Sequence, residues 1–466
     1  MSDLKRFIKS SGIYFIGSIL SRLIAFFMLP IYTKYLSPAE FGEYDLNLAY
    51  MQFFISFFFL DIYIGIMKFL LDPNLKEIEN YKEKVLFSGF FIFFISAIFY
   101  FIFFYFFMQI YNIRFKVFLL LLGFVLSLQE VYSYICRAYK QNLVYVVSGC
   151  LIAILYASFS FIFLYFCNFG YEALILGAIL SNISGIFFTE YNLKIFVKIK
   201  SACLDFIFFR KLLYFSLPFC LNALCYWFLA IYGRIMIANE LSYEENGYYA
   251  IALKFGMVLS LITLCFKFAW QEISFSKNIN KQNNSLYYSQ ACNEYLKFLV
   301  LSVVISLPII KIIFPFFVDS TFYKSIIYIP FVLVGIIIFS FSEFLISIIN
   351  TINKNKFLFI ATMTGAITNI ILLNIFIHKF KVFTVACSYI ICYTIVCVFL
   401  IYIINIFFKI KINKINVFIY TFILFIQGFI MVKFSFMINF FSFIVSVLLF
   451  LFFYRKEIKA YFFKNI

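Results

Sequence analysis

Charge is what this chain has least of. Of its 466 residues only 13% are charged, against 65% hydrophobic, and histidine occurs once, at His378. No polar interval is long enough to make a soluble domain, and a mean hydropathy of +1.02 excludes a water-soluble globular protein. The eleven cysteines include no C-x-x-C pair and have no neighbouring histidine. Cys387, Cys392 and Cys397 recur every fifth position, which spreads them around a helix instead of stacking them on one face. They read as small apolar packing residues, with no metal site and no disulfide framework. No nucleophile–base spacing appears either, so no catalytic residue is expected. Phe (74) and Tyr (35) are abundant, which together with the Ile, Lys and Asn content reads as the codon usage of an AT-rich genome.

What is present is a series of long apolar runs. A helix needs about 20 residues to cross the hydrocarbon, and the runs divide into fourteen expected spans: 11–32, 43–70, 85–109, 115–136, 143–167, 171–193, 211–238, 246–273, 288–314, 325–350, 357–377, 382–407, 415–433 and 437–454. They lack period-two alternation, so an all-α polytopic membrane protein is predicted, not a barrel. Lys and Arg concentrate in alternate loops, among them Lys5, Arg6 and Lys9, Lys194 to Lys211, and Arg455 to Lys464, while the intervening loops hold few. That asymmetry, with an even number of spans, predicts both termini on the cytoplasmic side. It also accounts for most of the net charge of +17, which therefore reads as a basic rim against anionic membrane lipid and argues against nucleic acid. The first apolar run is too long for a signal peptide and has no cleavage site behind it, so it is expected to be retained.

One nine-residue pattern occurs twice. Leu36-Ser37-Pro38-Ala39-Glu40-Phe41-Gly42-Glu43-Tyr44 and Leu241-Ser242-Tyr243-Glu244-Glu245-Asn246-Gly247-Tyr248-Tyr249 both read L-S-x-x-E-x-G-x-Y, each a short polar connection between apolar runs. A repeat of this spacing predicts two similar halves in parallel orientation. The longest cytoplasmic connection, 194–210, separates them. The expected organisation is an N-lobe over 1–200 (spans 1–6), a C-lobe over 201–410 (spans 7–12), and two appended spans over 411–466.

The chain resembles a known family. Gly17-Ser18-Ile19-Leu20-Ser21-Arg22-Leu23-Ile24, Leu29-Pro30-Ile31-Tyr32 and Leu36-Ser37…Gly42-Glu43-Tyr44 look like the opening of the polysaccharide exporters. Tyr214-Phe215-Ser216-Leu217-Pro218, Gly233-Arg234 and the second repeat continue the likeness. The nearest type is the O-antigen flippase within the multidrug/oligosaccharidyl-lipid/polysaccharide exporter superfamily. Two positions depart from the family pattern: Gly233 stands where an acidic residue often precedes the Arg, and Trp270 is followed by Gln271 and Glu272 without the usual Pro. The resemblance implies a V-shaped central cavity between the lobes and a cargo on undecaprenyl pyrophosphate, with polysaccharide polymerase machinery as a downstream partner.

Charges inside the spans carry the functional reading, because a mid-span cation costs roughly 2.5–3.5 kcal/mol on insertion scales. Lys68 and Lys311 lie close enough to span ends to snorkel. Arg234 sits about 6 Å, and Lys254 about 12 Å, inside their spans at the helical rise; Arg22 is near the middle of span 1. Neither Arg22 nor Lys254 has an acidic residue three or four positions away. Arg22, Lys254 and Arg234 are therefore the expected contacts for a diphosphate. Asp61 and Lys267 occupy equivalent places in the two repeats and are expected to meet as a cytoplasmic gate; the plain alternative pairs Asp61 with Lys68. Glu130 with Arg137, Glu294 with Lys297 and Glu190 with Lys194 read as structural pairs. Glu343, with no partner on its own helix, is the candidate for coupling to H+ or Na+; no other cofactor is expected.

Three functions compete. A lipid-linked oligosaccharide flippase fits the deep cations, and a peptidoglycan lipid-precursor flippase would look similar. A cation-coupled drug exporter would be expected to carry an acidic cavity. A membrane-bound polymerase or ligase would need a large outer loop bearing catalytic Arg or His, and the outer loops are short.

Overall fold

The structure, a computed structural model, describes residues 23–24, 26–72, 75, 80–200, 204–276, 281–351 and 356–455; the side chains of 200, 264–265, 267–284 and 351 lie outside the description. Regular structure among these residues is entirely helical. Eleven helices are long and apolar enough to cross a membrane, twelve if the bent pair Pro38–Phe58 and Ile62–Leu71 is one span. The expected fourteen is not reached for two reasons. Most of span 11–32 lies outside the described residues, and so do most side chains in the second half of Tyr243–Ser276, the 34-residue helix at the eighth position. Every other expected span coincides with one helix or a broken pair.

The chain packs as two compact units, 1–247 and 248–466. The first holds α1 (Leu29–Tyr35), α2 (Pro38–Phe58), α3 (Ile62–Leu71), α4 (Tyr81–Ile110), α5 (Lys116–Ala138), α6 (Asn142–Tyr165), α7 (Glu172–Leu193), α8 (Ile195–Lys200), α9 (Phe206–Ala230) and α10 (Tyr232–Glu240), and ends in the first turn of α11 (Tyr243–Ser276). The sequence sets the lobe boundary near residue 200. Packing carries the first unit on to Gly247, because α9 rests on α2, α3 and α4, and α10 rests on α2. Large aromatics fill this core: Phe59, Phe93, Tyr100, Phe104 and Tyr132 are fully buried.

The sequence repeat has a local physical cause. In the first copy Ser37 caps α2 in a capping box: the Glu40 N–H donates to Ser37 Oγ at 3.3 Å, and the Ser37 N–H donates to Glu40 Oε2 at 2.9 Å. Pro38 follows at the first helical position, where its missing N–H costs nothing. In the second copy the Glu245 N–H donates to Ser242 Oγ at 3.1 Å, which caps α11 in the same way. The glycines of the two copies then meet. A Cβ on Gly42 would fall on the Tyr243 carbonyl and 2.7 Å from the Gly247 nitrogen; a Cβ on Gly247 would fall on the Pro38 carbonyl. Asn246 Nδ2 donates to the Gly42 carbonyl at 2.8 Å across the contact.

The second unit contains the rest of α11, α12 (Lys281–Phe317), a 3₁₀ segment (Ser320–Ile327), α13 (Ile329–Thr351), α14 (Lys356–Phe380), α15 (Val382–Phe407), α16 (Lys414–Lys433) and α17 (Phe436–Phe453). The last two helices lie against α12 and are joined to each other by Gln427 Nε2, which donates to Ser442 Oγ at 2.6 Å. Lys297 on α12 pairs with Glu294 at 2.5 Å, as the i,i+3 spacing predicts, and sits 4.5 Å from the Tyr454 ring.

Gly42→Ala or Gly247→Ala forces apart two backbones that touch without side chains. Each is expected to cost about 2 kcal/mol, the scale of an overpacked interior, read as a fall of several degrees in the detergent-solubilised melting temperature. An unchanged melting temperature in both variants contradicts the crossing.

Candidate functional site

The site begins where span 2 breaks. The helix stops at Phe58 and resumes at Ile62 with a 46° bend. Leu60 and Asp61 are both left-handed, at φ 54° and 49°, a conformation that costs non-glycine residues about 1 kcal/mol or more each. Inside a membrane the carbonyls freed by such a break must find donors. Cys220 on α9 supplies one: its Sγ lies 3.3 Å from the Ser56 carbonyl and 3.7 Å from that of Phe57. The small pair Gly65 and Ser216 lets α9 approach α3 closely just beyond the break.

Between the broken helix and α9 opens a cavity of about 470 Å³. Gln52, Ile55 and Ser56 line it from α2, Asp61 from the break, Tyr63 and Ile64 from α3, and Phe219, Asn222, Ala223, Tyr226, Trp227 and Ala230 from α9, with Ile231 beyond. The break aims Asp61 at this space and the Tyr63 hydroxyl donates to its Oδ1 at 2.5 Å. The indole is fixed by its own hydrogen bond, Trp227 Nε1 donating to the Ala49 carbonyl at 3.1 Å. From Asp61 a line of polar side chains continues along α5: the Tyr134 ring lies 4.7 Å from that of Tyr63, and Arg137 sits 5.0 Å from the Tyr134 ring. Glu130 lies within electrostatic reach of both Asp61 and Arg137.

At the other end of α2 stands an ion pair. Arg234 Nη1 on α10 donates to Asp45 Oδ1 at 3.1 Å, with the two side chains 23% and 13% exposed. Beside it Tyr50 and Asn239 bond each other. Arg234, expected at the substrate, is thus engaged by a carboxylate of another helix.

The remaining expected residues are distributed as follows. Arg22 and the side chain of Lys267 lie outside the described residues, so only the Asp61 half of the expected gate is described. Lys254 on α11 and Glu343 on α13 are half-buried in the second unit, and each has interacting neighbours. Lys68 sits 3.7 Å from the Phe215 ring, a cation–π contact in place of the Asp61 pairing offered by the sequence. Glu190 does not serve Lys194: its carboxylate accepts from the Ile195 and Phe196 N–H groups, at 3.1 and 2.9 Å, and from Tyr132 Oη. It holds the start of α8, where Lys194 turns the backbone at φ 51°. The polar cavity residues Gln52, Asn222, Tyr226 and Trp227 are absent from the sequence expectations. Their signal was there: 219, 222, 223, 226, 227 and 230 follow the i, i+3, i+4, i+7 rule of one helix face, with Asn and Tyr interrupting an apolar span.

A family model, described as polysaccharide biosynthesis protein, matches residues 7–270, more than half of the chain. The chain belongs to that family. No curated protein matches the sequence. Among solved structures, the lipid II flippase MurJ in an inward closed conformation matches with a TM-score of 0.74 at 18% identity, covering 96% of this chain and 99% of that one. An inward-facing multidrug resistance MATE family transporter of the MOP superfamily matches with a TM-score of 0.68 at 13% identity, covering 83% and 95%. A MOP superfamily transporter from Pyrococcus furiosus reaches 0.58 at 15% identity, covering 85% and 95%. At these identities the likeness establishes the fold. Family, fold and apolar helices together make the chain a multi-pass membrane protein of the polysaccharide biosynthesis family, with a fold shared by these flippase and transporter structures.

Breaking the Asp45–Arg234 pair leaves a half-buried charge behind. Asp45→Asn and Arg234→Gln are each expected to cost about 1–2 kcal/mol, discounted from a fully buried pair for the partial exposure. A double-mutant cycle on melting temperature in detergent checks the coupling; strictly additive losses would show that the pair contributes nothing.

Proposed function

We propose that this protein is a flippase that carries an undecaprenyl-pyrophosphate-linked oligosaccharide, an O-antigen or other surface polysaccharide repeat unit, from the cytoplasmic to the outer leaflet of the bacterial inner membrane. The observation that carries this reading is the polysaccharide-biosynthesis family match over residues 7–270. The work is alternating access without bond chemistry. Both termini face the cytoplasm, as the Lys and Arg asymmetry of the loops indicates, and a polysaccharide polymerase consumes the delivered unit.

Arg22 and Lys254 are assigned to the diphosphate, joined by Arg234 in the state where its bond to Asp45 opens. Asp61 and Lys267 are assigned to a cytoplasmic gate that loaded cargo separates. Glu343 is assigned to the coupling ion, a proton or sodium.

Two observations favour other cargoes. The MurJ-like fold supports a peptidoglycan lipid precursor, and the Asp61 carboxylate in the cavity supports a cation-coupled drug exporter. Purified protein in liposomes, supplied with a pyrophosphate-linked oligosaccharide in one leaflet, is expected to deliver it to the other. Arg22→Ala and Lys254→Ala are each expected to cut that rate by about tenfold or more, the scale of one charge-assisted bond. No transfer by the wild-type protein would remove the reading, and wild-type rates in both variants would remove the cationic contacts.

The gate has its own test. Asp61→Lys is expected to abolish transfer and the exchange Asp61→Lys with Lys267→Asp to restore part of it. Failure of the exchange to rescue disposes of the gate and leaves Asp61 available for other work.

A further inference from the structure

The cavity beside α9 is poorly equipped for a diphosphate. Among its described lining residues the formal charge is that of Asp61, and it has the wrong sign. What the lining does supply is two primary amides, Gln52 and Asn222, the hydroxyls of Ser56 and Tyr226, and the half-buried ring of Tyr226 as an aromatic surface, with the indole of Trp227 fixed in the wall at 6% exposure. A sugar ring requires this kind of set. Each hydroxyl offers one donor and two acceptor lone pairs, so it is matched by groups that donate and accept from both walls, while the apolar C–H face of the ring lies against an aromatic surface. Asp61 accepts from Tyr63 through Oδ1 at 2.5 Å, and this anchors a carboxylate that can also accept from sugar hydroxyls. The volume of about 470 Å³ falls within the range of small-molecule sites.

We infer that the α2–α9 cavity is the saccharide subsite of the transport site, that it holds an uncharged sugar, and that Asp61 turns acidic sugars away. This rests on the flippase reading and deepens it: it concerns the loaded state, in which cargo has separated Asp61 from Lys267, and it sets the sugar apart from the residues assigned to the diphosphate.

Trp227 makes the inference testable without the lipid. The chain has two tryptophans, so the full-length Trp270→Phe protein emits from Trp227 alone. N,N′-diacetylchitobiose, cellobiose and lactose are the neutral probes, glucuronic acid the acidic one, and tetraphenylphosphonium the cationic one. The expected result is a saturable change in Trp227 emission with at least one neutral sugar in the millimolar range and binding of glucuronic acid about tenfold weaker. Asn222→Ala is expected to weaken the neutral sugar about tenfold, and Asp61→Asn, which keeps the size of the side chain, to close most of the gap to glucuronic acid. No saturation by any neutral sugar up to about 100 mM overturns the inference. So does a response to tetraphenylphosphonium alone, which assigns the cavity to organic cations, and so does glucuronic acid binding as tightly as the neutral sugars. The liposome measurement keeps the two readings apart: leaflet transfer by a protein whose Trp227 ignores sugars leaves the flippase and sinks the subsite, whereas sugar binding without transfer does the reverse.

Discussion

The contact on which the first unit depends is the crossing of Gly42 and Gly247. Two helix starts meet backbone to backbone, and each glycine presses against a carbonyl at the beginning of the other helix. Without a side chain on either, the Asn246 amide reaches the Gly42 carbonyl directly. Helices in a membrane gain little from burying apolar surface against one another, since lipid is equally apolar; close approach of small residues and inter-helix hydrogen bonds have to provide the association. The capping serines bring both glycines to the same depth in their helices, five residues after Ser37 and Ser242. A short polar motif, copied twice, thus fixes where two helices start and where they touch. The Asp45–Arg234 pair and the Tyr50–Asn239 bond continue from this crossing along α2, in the seam where α10 lies against it.

The break in span 2 is a consequence of that seam together with α9. One straight helix from Pro38 to Leu71 would follow a single axis. With the bend, its first part reaches α10 while both parts lie against α5 and α9. Two left-handed residues and freed carbonyls are the cost, partly offset by the Cys220 thiol. The return is position: a carboxylate held at the corner of a cavity by residues that face each other across the bend. Strain of this kind persists only where the surroundings over-determine it, and such places concentrate at functional sites.

Much of this was legible in the sequence, and what was not shares one feature. Span positions, helix type and the doubled motif follow from apolar run length and from recurrence, which are properties of consecutive residues. Glu294 and Lys297 were readable because both lie on one helix, three positions apart. Arg234 was read from its depth as a contact for the cargo, whereas its partner in the structure, Asp45, is 189 positions away. Asp61 was singled out for its charge, while the break that aims it was invisible, since neither glycine nor proline marks Leu60 and Asp61. Glu190 was assigned to a lysine four residues on, and the backbone took it instead because α8 begins there and its first N–H groups lack partners. Local rules were reliable for local structure; the cavity was assembled by distant contacts.

The sign of the charge in the cavity has a consequence for how a flippase would work. A carrier has to distinguish states and poses as well as bind, since a ligand with equal affinity for two states shifts neither. Discrimination also needs repulsion, which blocks wrong poses at no cost to the right one. A carboxylate fixed at the break, among amides and hydroxyls that carry no net charge, is such an element. On the proposed reading it disfavours a diphosphate in the α2–α9 space and leaves that space to the uncharged part of the cargo. On the proposed reading the headgroup is thereby oriented, with its anionic end drawn toward the basic residues assigned to it and its sugar end accepted where anions are refused. Orientation of this kind requires that the two ends be met by opposite charges, so the acidic corner of the cavity and a cationic site for the diphosphate are complementary requirements of one cargo.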